Sequence, residues 1–184
     1  MSNPGVGRVF RKVRVRTTRG SVVGLLPISE QVRTLDDINM VATRFVVLQE
    51  PEVEDGDLAL EPGPLAINKS QILFLSESEP PRARTFNRLA AARKSRSPVR
   101  LMMEDFTIEG FVHIPVNGKA LIRLRQEGHS FIAITTVKVT GPHATFEAPF
   151  LAVNRDHVLA AQELPQVSSD SGVDVERSGA AIVS

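Results

Sequence analysis

"PLAINKSQILFL", residues Pro64 to Leu75, returns eighty-six positions later as "FLAVNRDHVLAA", residues Phe150 to Ala161. The same Leu-Ala-apolar-Asn-basic core stands in both phrases, with an apolar run after it. Sliding the chain against itself by that offset brings much more into register. Val13 and Arg14 meet Val99 and Arg100, Gly24 meets Gly110, Ile28 meets Ile114, and Phe45 meets Phe131. Leu65, Ala66 and Asn68 meet Leu151, Ala152 and Asn154, and no gap is needed anywhere. Matches of this density at core-type positions predict one unit used twice. Each unit spans about 66 residues, Val13 to Ser78 and Val99 to Leu164. A unit that small has little core of its own, so the two are expected to pack on each other. The expectation is a pseudo-symmetric pair, like a homodimer joined into one chain.

Local patterns give the order of elements within a unit. "VRVRT" (Val13 to Thr17) alternates apolar and basic residues, the period of a half-buried strand with Arg14 and Arg16 toward water. "SVVGLLPI" follows after a tight turn at Arg19-Gly20, which predicts a hairpin. Gly24 and Gly110 fall inside this second strand and its counterpart. A glycine there is unfavourable unless the strand bends sharply or another backbone comes close. "TLDDIN" (Thr34 to Asn39) predicts a short helix with Thr34 as cap and Asp37 three residues on. "KALIRLRQ" is its counterpart. "RFVVLQ" and "SFIAITTVKV" read as strands, followed by a loop around Asp55-Gly56-Asp57 in the first unit and a turn at Gly141-Pro142 in the second. The opening phrase predicts a closing hairpin turning at Asn68-Lys69, because asparagine tolerates positive φ.

The order strand, strand, short helix, strand, strand, strand predicts a mainly β chain of two tandem small barrels of the SH3-like or Sm-like class. In the second unit, Phe131 to Val139 and Phe150 to Val158 resemble a short bacterial domain whose closing segment reads apolar-Asn-basic-Asp-His-hydrophobic. That resemblance implies a small β fold, with no established activity attached to it. The first unit keeps the framework, with Ser70 and Gln71 in place of Asp156 and His157. The predicted boundaries are a disordered start over 1–7, a first barrel over 8–78, a basic linker over 79–98, a second barrel over 99–164 and a disordered tail over 165–184. Within the linker, "TFNRLAAARKSR" can form a basic helix, and the tail is polar and rich in small residues.

Composition narrows the chemistry. All nine aromatic residues are Phe, so the core must be aliphatic, and cysteine is absent. Disulfides, thiolate metal sites and cysteine nucleophiles are thereby excluded. No run approaches the ~18 apolar residues of a membrane span, and no signal-peptide pattern opens the chain. The expectation is a cytoplasmic protein. The four histidines all lie in the second unit, without two-histidine helical spacing or an adjacent carboxylate cluster. Asp36-Asp37 is lost in the second unit and reads as helix-terminal charge. No Gly-x-Ser-x-Gly elbow or phosphate-binding glycine loop is present. These patterns predict no enzyme, no cofactor and no metal.

Charge is balanced overall, with a net charge of +1, but unevenly placed. Arg14, Arg16 and Arg100 fall on equivalent strands, and Arg88, Arg93, Lys94 and Arg96 crowd the linker. Clustered cations can hold phosphates, which gives one functional expectation: RNA or DNA binding by the first strand and linker. Pairing with the acidic stretch Glu50 to Glu61 explains the same cations without any partner, and exposed aromatic residues for stacking bases are not expected. The leading expectation is therefore a non-enzymatic interaction or scaffold module, binding a protein partner or further copies of itself through sheet edges. Gly24, Gly110, Asn68 and Asn154 are the signature of its repeat.

Overall fold

In the structure, a computed structural model, residues 7–77, 94–116, 118–125, 128–142 and 145–165 are described. The first half contributes β1 (Arg8–Thr17), β2 (Gly20–Ser29), α1 (Thr34–Ile38), β3 (Phe45–Gly56), β4 (Leu65–Asn68) and β5 (Ile72–Glu77). The second contributes β6 (Lys94–Met102), β7 (Thr107–Pro115), α2 (Ala120–Arg125), β8 (Phe131–Thr140), β9 (Thr145–Asn154) and β10 (Ala160–Glu163). The protein is mainly β. Its ten strands form one open antiparallel sheet in the order β10-β6-β7-β8-β9-β5-β1-β2-β3-β4.

Each half contributes five consecutive strands to that order, and the two sets run alike. Registers match as well. Val13 faces Gly24 as Val99 faces Gly110. Val22 faces Val53 as Ile108 faces Val139. Phe45 faces Asn68 as Phe131 faces Asn154, and Val13 faces Glu77 as Val99 faces Glu163. The alternation read in "VRVRT" is reproduced: Val13, Val15 and Thr17 are buried, with Arg14 and Arg16 between them on the other face.

The strand-interior glycines have a steric cause. A Cβ on Gly24 would stand 3.0 Å from the Leu48 Cβ and 3.1 Å from the Gln49 carbonyl oxygen. On Gly110 it would stand 2.6 Å from Ile134 Cγ2 and 2.9 Å from the Thr135 carbonyl. Both glycines sit where the register slips, between Val23 and Leu25 and between Glu109 and Phe111. Opposite them, Glu50 and Thr136, again eighty-six positions apart, take left-handed φ angles of 48° and 52°. Each pair forms a bulge, which bends and twists its strands. In the first half β3 divides there, pairing with β4 through Phe45–Leu48 and with β2 from Gln49 onward.

Several local expectations need correction. Thr34 is not the helix cap: Arg33 holds that position without a side-chain bond, and the Thr34 hydroxyl accepts from Arg11 Nη1 at 2.9 Å. Asp55-Gly56 is not a loop, because β3 runs through it alongside β2. Most consequential, the closing phrase is not a hairpin. A 3₁₀ turn, Lys69–Gln71, separates β4 from β5, and the two strands pair with different neighbours. Asn68 has φ −65°, so its role is not positive φ; its side chain caps the turn by accepting from Ser70 N at 3.0 Å. Asn154 does the same for Asp156 N at 3.1 Å. Lys94 to Arg96, expected at the end of a helical linker, open β6 instead, paired to Pro115–His113. The rest of the expected linker helix, with Arg88 and Arg93, and the expected disordered termini (1–7 and 165–184), apart from Gly7 and Pro165, lie outside the described residues.

Gly110→Ala is expected to lower unfolding free energy by about 2 kcal/mol, the typical cost of forcing a methyl into packed surroundings. Gly24→Ala, with its longer contacts, should cost about half as much. Urea denaturation of the two variants checks this; a harmless Gly110→Ala would contradict the close approach.

Candidate functional site

The feature that organises the molecule is the seam between halves. It joins β9, the fourth strand of the second half, to β5, the fifth strand of the first, with Phe74 facing Val153 and Leu75 facing Ala152. The two halves are thus joined head to tail, through non-equivalent strands, instead of through one strand meeting its own counterpart.

Core residues cross this seam in both directions. Phe131 and Ala152 of the second half are buried in the cluster around Val13, Val15, Leu48 and Ile72. Leu73 and Phe74 of the first half are buried in the cluster around Leu101, Ile108, Ile134 and Leu151. Phe74 meets Phe106 edge to face, with ring centroids 5.4 Å apart. Large apolar side chains contribute about 1.5–3 kcal/mol each when buried, so three of them hold the seam by several kcal/mol.

Polar contacts then fix its geometry. The Asn154 side chain is 1% exposed. While its oxygen caps its own turn, its amide nitrogen donates to the Lys69 carbonyl at 3.2 Å and the Ile72 carbonyl at 2.9 Å. Asn39, just after α1, clamps the backbone of Phe131 from the other side. Its Nδ2 donates to the Phe131 carbonyl and its Oδ1 accepts from the Phe131 N–H, both at 2.9 Å. His157 Nε2 lies 2.7 Å from the Ser70 carbonyl oxygen.

An open groove of about 390 Å³ runs over this seam, lined among others by Asn39, Met40 and Lys69 from the first half and Ser130, Asn154 and Asp156 from the second. Lys69 Nζ donates to the Met40 carbonyl and to Thr43 Oγ1, both at 2.9 Å. Burial lowers the Lys69 pKa against the pull of Asp37. Burial likewise raises that of Asp37, offset in part by Lys69 and Arg11. No group of three or more potential metal ligands is found among the described residues. His113 is exposed, with Nε2 3.2 Å from Thr135 Oγ1.

Those cations proposed for phosphate contact that are among the described residues are engaged within the protein. Arg14 pairs with Glu54 at 2.6 Å and Arg16 with Asp55 at 2.5 Å. Arg16 also lies over the Phe106 ring, 5.1 Å from its centroid, so it reaches across the seam. Arg100 pairs with Glu109 at 2.6 Å. Arg96 donates to Thr136 Oγ1 at 2.8 Å and stacks over Phe111 at 4.4 Å. The Lys94 side chain, like Arg88 and Arg93, lies outside the described residues. Among the described residues, Arg14, Arg16, Arg96 and Arg100 each have partners within the protein. The structure does bring Asn68 and Asn154 to equivalent turns, one at the sheet's end and one at its middle.

What the sequence reading missed is the seam itself. Asn39 has Arg125 as its counterpart, and Phe74 has Ala160, so neither matched between units. The residues that distinguish one half from the other were the signal, and a search for similarity passes over them. The chain matches no known family, no curated protein and no solved structure. Among the described residues no helix is long and apolar enough to cross a membrane.

The two capping asparagines separate local from seam contributions. Asn68→Ala should cost about 1 kcal/mol, the worth of a cap. Asn154→Ala should cost about 2–4 kcal/mol, because it also strands two carbonyls at the seam. Equal losses in chemical denaturation would show that the seam bonds contribute nothing.

Proposed function

We propose that this chain is a non-enzymatic interaction module, made of two tandem small barrels of the SH3-like or Sm-like class and built to accept another protein along its sheet edges. The matching strand orders of the halves, and the identical registers of β1·β2 and β6·β7, support descent from one doubled unit. Matched bulges at Gly24 and Gly110 support the barrel reading, since such bending is what lets a short sheet wrap around its own core.

A single observation carries the functional reading. An open sheet has two ends, here β4 and β10, and among the described residues each of them has a sheet partner on one side only. Unpaired edge groups template another strand. Proteins blunt such edges with charge or proline, yet apolar residues stand exposed beside both of these: Phe45, Val47 and Val41 near β4, and Leu159 beside β10. The internal ion pairs of Arg14, Arg16 and Arg100 support this reading over nucleic-acid binding, because a cation already neutralised releases fewer counterions on meeting phosphate.

The test compares what co-purifies with tagged wild-type chain and with Phe45→Glu and Leu159→Glu variants in the source cells. A protein retained by the wild type and lost with either variant is the expected result. A partner held equally by all three would overturn the edge as the binding surface. Titration of labelled RNA and duplex DNA at low salt is expected to show no binding; tight, salt-sensitive binding would move the function to the basic runs.

A further inference from the structure

The seam inside the chain shows what fits the two open edges. We infer that the partner of β4 is β10 of a second copy of this chain, so that copies join head to tail by repeating the β9·β5 seam. This rests on the edge-binding reading above and names its occupant.

The argument is the contrast between each seam residue and its counterpart at an open edge. Phe131, in the seam, is 1% exposed, while Phe45 in the equivalent position beside β4 is 50% exposed. Leu73 is 9% exposed, and its counterpart Leu159 beside β10 is 74% exposed. Ala152 is fully buried, and Ala66 on β4 is exposed. Asn154 spends its amide nitrogen on two carbonyls across the seam. Asn68 caps the same turn with its oxygen, but its side chain stands exposed at the open edge, with no bond from that nitrogen among the described residues. One edge thus carries the features of β9, and the other those of β5, each without the strand that covers it in the seam.

Transferring the seam's register by eighty-six positions places Ala160 opposite Ile67 of the second copy and Ala161 opposite Ala66. The Asn68 amide would then meet the carbonyls of Arg155 and Val158, counterparts of Lys69 and Ile72. The contact between copies is weaker than the seam for two reasons. Ala160 replaces Phe74, and Arg125 replaces Asn39, so the N–H of Phe45 loses the acceptor that Phe131 has. Because the joined surfaces differ, the association closes only as a ring or continues as a filament; it does not stop at a symmetric dimer.

The chain's lack of cysteine makes the test direct. Ala66→Cys and Ala161→Cys chains are prepared separately, mixed and oxidised. Opposed Cα atoms in an antiparallel pair stand about 4.5–5.5 Å apart, within disulfide range. The expected product is a disulfide linking one chain of each kind, with neither variant cross-linking to itself. Light scattering of the wild type over a wide concentration range should show species larger than a monomer. Phe45→Glu and Leu159→Glu should each weaken the association by roughly 100-fold or more, as expected for central apolar contacts, while leaving the unfolding transition of the exposed-site variants unchanged. A wild-type chain that stays monomeric throughout, or like-with-like cross-links, would overturn the inference. If the chain is monomeric but the same edge variants still lose a different protein in the co-purification, the edge-binding module stands and only self-assembly falls. If the variants change neither result, both fall.

Discussion

Everything in this molecule depends on the antiparallel contact of β5 with β9. It is short, with two residue pairs in register, and so backbone pairing alone would hold it weakly. What makes it firm is the exchange of apolar side chains around it. Leu73 and Phe74 complete the second core, and Phe131 and Ala152 complete the first. Neither half has a full core without the other, which is the expected difficulty of a unit this small. Buried asparagines then convert an apolar contact into one with a defined register, since Asn154 and Asn39 find their partners only when the strands are correctly aligned.

The bulges serve that seam from a distance. Gly24 with Glu50, and Gly110 with Thr136, bend the middle strands of each half over its core. In this sheet order the bending strands lie between the first and fourth strands of each half, so they govern how its two outer strands are presented. One outer strand from each half is used up in joining them. The other two are left at the ends, with Phe45 and Leu159 exposed beside them.

Much of the architecture was legible in the residues, for identifiable reasons. Alternation in "VRVRT" is a direct imprint of a one-sided strand, and the paired glycines announced a close approach that the structure places at Leu48 and Ile134. The likeness between the halves was visible because similar strand orders impose the same local demands on both. Other features were illegible because they are not local. Asn68 and Asn154 were matched correctly but given the wrong reason: turn propensity suggested positive φ, while the oxygen in fact caps a 3₁₀ turn. A hairpin was expected at that turn because sequence neighbours usually pair, and here tertiary packing sends β4 and β5 to separate partners. The roles of Arg14 and Arg16 were open between phosphate contacts, solvent-facing cations and ion pairs with the acidic stretch, and only the fold places Glu54 and Asp55 beside them.

The seam itself is best examined in solution, by nuclear Overhauser effects between the backbones of β5 and β9 in the intact chain. Cross-strand effects linking Phe74 with Val153 and Leu75 with Ala152 are expected, together with contacts from the Phe131 ring to Val15 and Ile72. Their absence, with the two halves tumbling as independent bodies, would contradict the continuous sheet and remove the pattern from which the open edges were understood.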